Sequence, residues 1–274
     1  MKYRKIAFIG AGNIANAIIA GIIKYGSYPS SMITVCSPTT IHRDKIQKEY
    51  GVVSINDNHT AVRESDVIIL AIKPQIMKTV CELLQNSIDF DKKLILTTAV
   101  GISAKRYNDY FNYNISLIRI MPNILSLVGK GIVGLFSQPN VSEEDKSFVN
   151  ELMKNIGLTI WCEYEEEINN IVAISGSSPA YVFLFMEAIQ QKAQQLGYNA
   201  KISREITLAM VQGSIELSKF QKDMSFSALY KRIATNGGVT KIALDELNNR
   251  LFKESIIKSM QSVISAAKKM EELF

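Results

Sequence analysis

Cysteine is scarce: Cys36, Cys81 and Cys162 are the only three in 274 residues, far apart and without a C-x-x-C pair. An odd count argues against a disulfide framework, so they read as reduced packing residues. His42 and His59 are the only histidines, which leaves too few soft ligands for a structural zinc site, and no metal is expected. No apolar run approaches the ~18 residues of a membrane span, so no membrane association is expected. The chain begins on a strand pattern with no signal-like apolar core, which makes the cytoplasm the expected location. A nucleic-acid binder would carry a dense basic stripe, and none is visible. Residues 1–43 also lack any Asp or Glu. Five of the 31 basic residues lie there (Lys2, Arg4, Lys5, Lys24, Arg43), and the other 26 are matched by 26 acidic ones, so the net charge of +5 belongs to this first stretch. With 47% hydrophobic and 21% charged residues, the chain has a soluble globular composition and length enough for two domains.

What is present begins with Lys5-Ile6-Ala7-Phe8-Ile9-Gly10-Ala11-Gly12-Asn13-Ile14-Ala15. An apolar run ends at two glycines spaced G-x-G-x-x-A, and a helical apolar stripe follows through Ile14, Ala17, Ile18 and Gly21. Read physically, a buried strand turns at Gly10. Gly12 lets the backbone approach a pyrophosphate, and Ala15 keeps the new helix tight on the sheet. The helix start, at Asn13 and Ile14, offers unpaired N–H groups and the positive end of its dipole to the phosphates. An ordinary strand-turn-helix is the alternative, but the surrounding pattern favours dinucleotide binding.

The second strand, Met32 to Cys36, ends at Ser37-Pro38-Thr39-Thr40. An NAD enzyme usually places a carboxylate here for the ribose 2′-hydroxyl, and this chain has none before Asp44. Ser37, Thr39, Thr40 and Arg43 instead suit a 2′-phosphate, through hydroxyls and one guanidinium. NADPH is therefore the expected cofactor, with NADH as the alternative.

Further strands are expected at Val52-Val53, Asp66 to Ala71, Leu94 to Thr98, Ile115 to Met121, 131–136 and 157–161, with a short helix near Asn58 to Glu64. Lys73-Pro74 and Ser142 mark further helix starts. This alternation predicts a parallel doubly wound sheet, an α/β Rossmann-like dinucleotide-binding domain over residues 1–164. From 165 to 274 strand signals vanish. Helical periodicity covers roughly 165–174, 178–196, 202–220, 226–234, 239–250 and 254–271, an all-α second domain with more apolar face than its own core needs. Helices shared with a partner subunit would explain that excess.

Two glycine-bearing motifs interrupt the helical half: Ser175-Gly176-Ser177-Ser178-Pro179-Ala180-Tyr181 and Thr235-Asn236-Gly237-Gly238-Val239-Thr240. Each is expected at a helix start, where free N–H groups can hold an anion or merely be capped. The Gly237-Gly238 pair clears space for a carboxylate, and Thr235 and Thr240 place hydroxyls beside it. No His, Cys or carboxylate set can be assembled around these loops for acid–base, triad or metal chemistry. A hydride transfer, whose hard step belongs to a nicotinamide, needs little more than this. Lys146 and Asn150 have the K-x-x-x-N spacing of some hydroxyacid dehydrogenases, but they read better as a solvated helix face.

Together the glycine turn, Ala71-Ile72-Lys73-Pro74, Arg119-x-Met121-Pro122-Asn123, the Ser175–Tyr181 motif and Gly237-Gly238-Val239-Thr240 resemble pyrroline-5-carboxylate reductase over nearly the whole chain. The resemblance implies reduction of 1-pyrroline-5-carboxylate to L-proline with NADPH or NADH. It implies a C-terminal dimerisation domain, a homodimer, and further assembly as a ring of dimers. Carried over by position, Asn58 and the Ala71–Lys73 stretch line the cofactor pocket. Thr235, Gly237 and Gly238 hold the substrate carboxylate, and Thr240 touches the ring nitrogen as the catalytic hydroxyl. The family has an acidic residue, usually Glu, in the region where this chain has Asp223. Its Ser-Pro-Gly-Gly loop reads Thr235-Asn236-Gly237-Gly238, its Gly-x-Gly-Pro-Ala-Tyr reads Gly176-Ser177-Ser178-Pro179-Ala180-Tyr181, and its proline upstream of the loop is Phe226. These departures leave open a reductase of another cyclic imine or oxo acid, or a weakened regulatory or scaffold member.

Overall fold

The runs Ile6–Ile9, Val67–Leu70 and Leu94–Thr97 are buried at every position, as strands covered on both faces must be. They form the middle of an eight-stranded sheet in a computed structural model that describes residues 3–85 and 89–274. In chain order the strands are β1 (Ile6–Ile9), β2 (Ile33–Cys36), β3 (Val53–Ile55), β4 (Val67–Leu70), β5 (Leu94–Thr97), β6 (Ser116–Met121), β7 (Gly131–Ser137) and β8 (Gly157–Trp161). Their spatial order is β3-β2-β1-β4-β5-β6-β7-β8. The order reverses between β1 and β4, the switch point outside which open α/β sheets bind ligands.

The sheet is not wholly parallel, which corrects the sequence expectation. β1 to β6 pair in parallel, but β7 runs antiparallel to β6, and β8 is parallel to β7. The stretch between Met121 and Gly131 is shorter than the dozen or so residues a parallel crossover needs, so the chain turns back.

Among the described residues, helices that cover the sheet are α1 (Asn13–Lys24), α2 (Thr40–Tyr50), α3 (Asn58–Arg63), α4 (Pro74–Gln85), α5 (Ala104–Phe111) and α6 (Glu143–Lys154). Strand alternation divides them. Ile6 and Phe8 of β1 join the core with Ile18, Ile19 and Ile22 of α1 and Phe148 and Leu152 of α6. Ala7 and Ile9 join the opposite core with Ala61 of α3, Met77 and Cys81 of α4 and Tyr107 of α5. Pro74 opens α4, and Ser142 caps α6 by accepting from the Asp145 N–H.

Two compact units result, Met1–Gly176 with Val263–Phe274, and Ser177–Ser262. The division foreseen at residue 164 falls inside the first unit, because the chain is tied down beyond it. One carboxylate oxygen of Glu165 accepts from Arg119 (2.7 Å) and from the Ala104 N–H that starts α5 (2.6 Å). Ile168 and Ile171 of α7 (Glu167–Ile171) pack with Met121. Asn123, itself buried, donates from Nδ2 to the Ser175 carbonyl at 3.0 Å. The last residues of the chain return to the same unit: Asn169 Nδ2 donates to Glu271 at 3.0 Å, and the Tyr110 hydroxyl donates to the Phe274 carbonyl at 2.7 Å.

The second unit is helical throughout: α8 (Ser178–Gln195), α9 (Ala200–Phe220), α10 (Phe226–Ile233), α11 (Val239–Asn249) and the first part of α12 (Phe252–Leu273). Neither α10 nor α11 buries a residue within the single chain. Phe183, Leu184, Phe226, Ile233 and Ile242 stay exposed, and apolar grooves of 520 and 480 Å³ run between the helices. The helical path Glu167–Gln195 has a mean hydropathy of 1.4 over its most apolar window and is long enough to cross a membrane. That corrects the expectation of no such stretch, and only 17% of the window is buried within the chain.

Candidate dinucleotide and anion sites

The glycine turn is built as its spacing requires. Gly10 adopts φ +109°, and a Cβ there would sit 2.4 Å from the Ala71 carbonyl oxygen, so β1 can turn only beside a side-chain-free residue. The contact brings Gly10 against the Ala71–Lys73 stretch that follows β4, with the Ala71 N–H donating to the Ile9 carbonyl at 2.9 Å. Lys73 is exposed and Ala71 half-buried.

Gly12 differs. Its backbone is extended (φ −78°, ψ −175°), which any residue accepts, and a Cβ there would meet nothing within 4 Å. It is the N-cap of α1 and brings no side-chain cap, so the N–H groups of Asn13 and Ile14 face open space at the switch point. The Asn16 N–H is the first taken up, by the Gly12 carbonyl. An uncapped twelve-residue helix behind a cleared space fits a pyrophosphate. Ala15, fully buried, seats the helix on the sheet.

At the end of β2 the Gly10 N–H donates to the Cys36 carbonyl at 2.8 Å, linking the turn to the strand end that precedes Ser37. Ser37 follows, buried, with its Oγ accepting from the Thr39 N–H at 3.3 Å. Arg43, on the first turn of α2, donates from Nη1 to the Ser37 carbonyl at 2.7 Å, and its Nε lies 3.6 Å from Asp44. Thr39 is the N-cap of α2, yet its hydroxyl makes no capping bond. Ser37, Thr39 and Arg43 therefore converge on one corner. Asn58 opens α3 beside them, with its Oδ1 3.0 Å from Cys36 Sγ. Sequence reasoning assigned that thiol to packing alone. Its signal was its place, the last strand residue before Ser37.

In the second unit Thr235-Asn236-Gly237-Gly238 forms a tight turn between α10 and α11. The Gly238 N–H donates to the Thr235 carbonyl at 3.0 Å, and Gly237 needs its φ of +79°. Gly238 is the N-cap of α11 and has no side-chain cap. A Cβ on it would meet Thr235 Oγ1 at 3.0 Å, so Thr235 and the free start of α11 are adjacent. Thr240 stands in that first helical turn and is half-buried. The geometry suits a carboxylate held by backbone N–H groups with hydroxyls alongside.

The Ser175–Tyr181 motif is not a free helix start, contrary to expectation. Val172–Gly176 forms a π-turn that continues α7 almost directly into α8, and Ser177 itself has helical dihedrals. Ser175 bonds inward, to the Ile171 carbonyl at 2.9 Å, so its hydroxyl is structural. Lys146 pairs with Glu143, and Asn150 accepts from Thr159 and Trp161, so neither points to a dehydrogenase site. Among the described residues no three His, Cys, Asp or Glu side chains cluster as metal ligands would.

Residues 165–270 match the family described as pyrroline-5-carboxylate reductase dimerisation, and residues 5–101 match that of NADP oxidoreductase, coenzyme F420-dependent. Over the full length of both chains the protein is 38% identical to the pyrroline-5-carboxylate reductase of Vibrio alginolyticus. The solved pyrroline-5-carboxylate reductase of Coxiella burnetii superposes with a TM-score of 0.85 at 32% identity, covering 98% of this chain and 99% of that one. The pyrroline carboxylate reductase of Plasmodium falciparum, solved with NADP bound, gives 0.90 at 25% identity and 99% coverage of both.

Proposed function

Because the chain belongs to the pyrroline-5-carboxylate reductase family, we propose that its two glycine turns divide the labour of one reaction, one holding the dinucleotide and the other the imine substrate. The protein is an NAD(P)H-dependent oxidoreductase that reduces 1-pyrroline-5-carboxylate to L-proline, the closing step of proline synthesis. The observation that carries this is the full-length kinship together with a cleared, uncapped start of α1 at the switch point.

The cofactor supplies a hydride to the C=N carbon. The chain's residues do the rest. Gly10 shapes the turn, Gly12 leaves room for the pyrophosphate, and the N–H groups of Asn13 and Ile14 bind it. Ser37 and Asn58 take the adenosine end, with Ala71 and Lys73 along the pocket wall. The absence of any carboxylate at the end of β2 before Asp44, with Arg43 beside Ser37, supports NADPH over NADH. Thr235, Gly237 and Gly238 hold the substrate carboxylate at the start of α11. The Thr240 hydroxyl orients the ring nitrogen, and no strong acid is needed because a protonated imine is already electrophilic.

The Thr235–Gly238 turn closes although Asn236 replaces the usual proline, which favours a working reductase over a weakened scaffold. The apolar surfaces of α8 to α11 are those a dimerisation domain covers, so the Glu167–Gln195 helix is read as a subunit interface in a cytoplasmic enzyme. Further assembly as a ring of dimers fits the same reading. The test is complementation of a proline auxotroph, with NADPH oxidation by the purified protein on 1-pyrroline-5-carboxylate. Growth and turnover are expected. Soluble, NADPH-binding protein that neither complements nor turns over this imine would overturn the assignment.

A further inference from the structure

Cys36 is almost wholly buried at the last position of β2, and its carbonyl already anchors the Gly10 turn. Its side chain reaches across to the start of α3, where Sγ lies 3.0 Å from Asn58 Oδ1. Burial, with the nearby Asp57 carboxylate, pushes the thiol up to about 11, so it keeps its proton at neutral pH. A protonated thiol can donate, and an amide oxygen accepts far better than sulfur does, which fixes which end of the Asn58 amide faces Cys36. Asp57 holds the backbone here, accepting from the His59 and Thr60 N–H groups at 3.2 and 2.9 Å, so Asn58 has little freedom except rotation of its amide. With Oδ1 held by the thiol, Nδ2 is the end left to donate, and no protein acceptor takes it among the described residues.

We infer that Cys36 is a positioning residue for the cofactor: its S–H locks the Asn58 amide so that the NH₂ group faces an acceptor oxygen on the adenosine end of the dinucleotide. The inference rests on the placement of Asn58 in the cofactor pocket proposed above. Without the lock, the amide can rotate by half a turn and present its oxygen to an oxygen-rich ligand, which repels. The thiol acts through Asn58 and not by touching the cofactor, so its contribution exists only while Asn58 is present.

The experiment is an NADPH fluorescence titration of the full-length protein, unaltered and as Cys36→Ser, Cys36→Ala, Cys36→Val, Asn58→Ala and Cys36→Ala with Asn58→Ala. Cys36→Ala and Cys36→Val should weaken NADPH by about 3- to 10-fold, the scale of one hydrogen bond made less favourable. Cys36→Val fills the Sγ space with a methyl and has no donor, so it reports if the cavity left by Cys36→Ala prevents folding. Cys36→Ser, which keeps a donor, should stay within about twofold of the unaltered protein. On the Asn58→Ala background, Cys36→Ala should cost nothing further, the signature of coupled residues. In turnover the loss should fall on KM for NADPH and not on kcat. Equal losses with and without Asn58, or no effect of Asn58→Ala alone, would overturn the inference while leaving the cofactor assignment standing. Loss of that assignment would look different, as unaltered protein that does not bind NADPH.

Discussion

Two glycines two residues apart should respond to alanine in opposite ways, because the space around each is of a different kind. At Gly10 the new methyl lands 2.4 Å from the Ala71 carbonyl oxygen, on a backbone held at φ +109°. The dihedral alone costs an L-residue about 1–3 kcal/mol, and relieving the overlap with a rigid strand end costs about as much again. Gly10→Ala should therefore destabilise the fold by roughly 2–6 kcal/mol, a large part of a domain's stability. At Gly12 the methyl meets no protein atom within 4 Å, and the extended backbone accepts it. Stability should hold or rise by about 0.4–1 kcal/mol, since alanine narrows the unfolded ensemble.

The cost at Gly12 appears only when the pyrophosphate arrives. A methyl in that space lifts the phosphates off the N–H groups of Asn13 and Ile14, and charge-assisted bonds of this kind are worth about 1.5–3 kcal/mol. NADPH binding should weaken by roughly 10- to 100-fold. Urea denaturation and NADPH fluorescence titration of the two variants separate the effects. A Gly12→Ala protein that binds NADPH as tightly as the parent would refute the placement of the pyrophosphate. A Gly10→Ala protein of undiminished stability would refute the packing argument.

Thr240→Ala should lower kcat/KM for the imine by about 10- to 100-fold with NADPH affinity unchanged, and Thr240→Ser should retain most activity. Full activity in a folded Thr240→Ala protein would reduce Thr240 to a first-turn helix residue. Arg43→Ala and Ser37→Asp should each weaken NADPH more than NADH in paired steady-state assays, and equal losses would remove the 2′-phosphate reading. Burial pushes the Cys81 thiol up to about 12 from its ordinary 9.0. The folded state thus keeps a proton that the unfolded chain sheds, so the contribution is intact below pH 9 and declines toward pH 12. The stability gap between the parent and Cys81→Ala, read from urea midpoints, should shrink by about 1.4 kcal/mol per pH unit in that window, and a constant gap would contradict the burial argument.

The nucleotide half was legible because its signals are local. β1 appears at Ile6–Ile9 as anticipated, α1 starts at Asn13 directly after the glycine turn, and β2 and β4 lie within a residue or two of their expected ends, since continuous apolar runs and glycine or proline breaks mark them. The direction of β7 was not legible, because it depends on what a short connection permits and not on its own residues. Arg119 in an apolar strand demanded a buried carboxylate, but the acidic run from Glu163 to Glu167 offers several, and only the fold selects Glu165. The Ser175–Tyr181 motif misled because glycine and serine suit a π-turn as well as a free helix start. The role inferred for Cys36 depends on a partner 22 positions away, which no local pattern announces.

The return of residues 263–274 to the first unit has a consequence for how the chain is made. Met270 fills the space beside Gly101, and the Phe274 carbonyl receives the Tyr110 hydroxyl across 164 positions. On the ribosome, the sheet and its first helices can assemble while α5 still lacks this buttress, because Phe274 is translated 164 positions after Tyr110. Closing so long a loop adds entropy cost late in folding and favours a waiting, incompletely packed intermediate. A residue joined to Phe274 would start from a carbonyl already engaged by the Tyr110 hydroxyl of α5, so an extension there loads that contact.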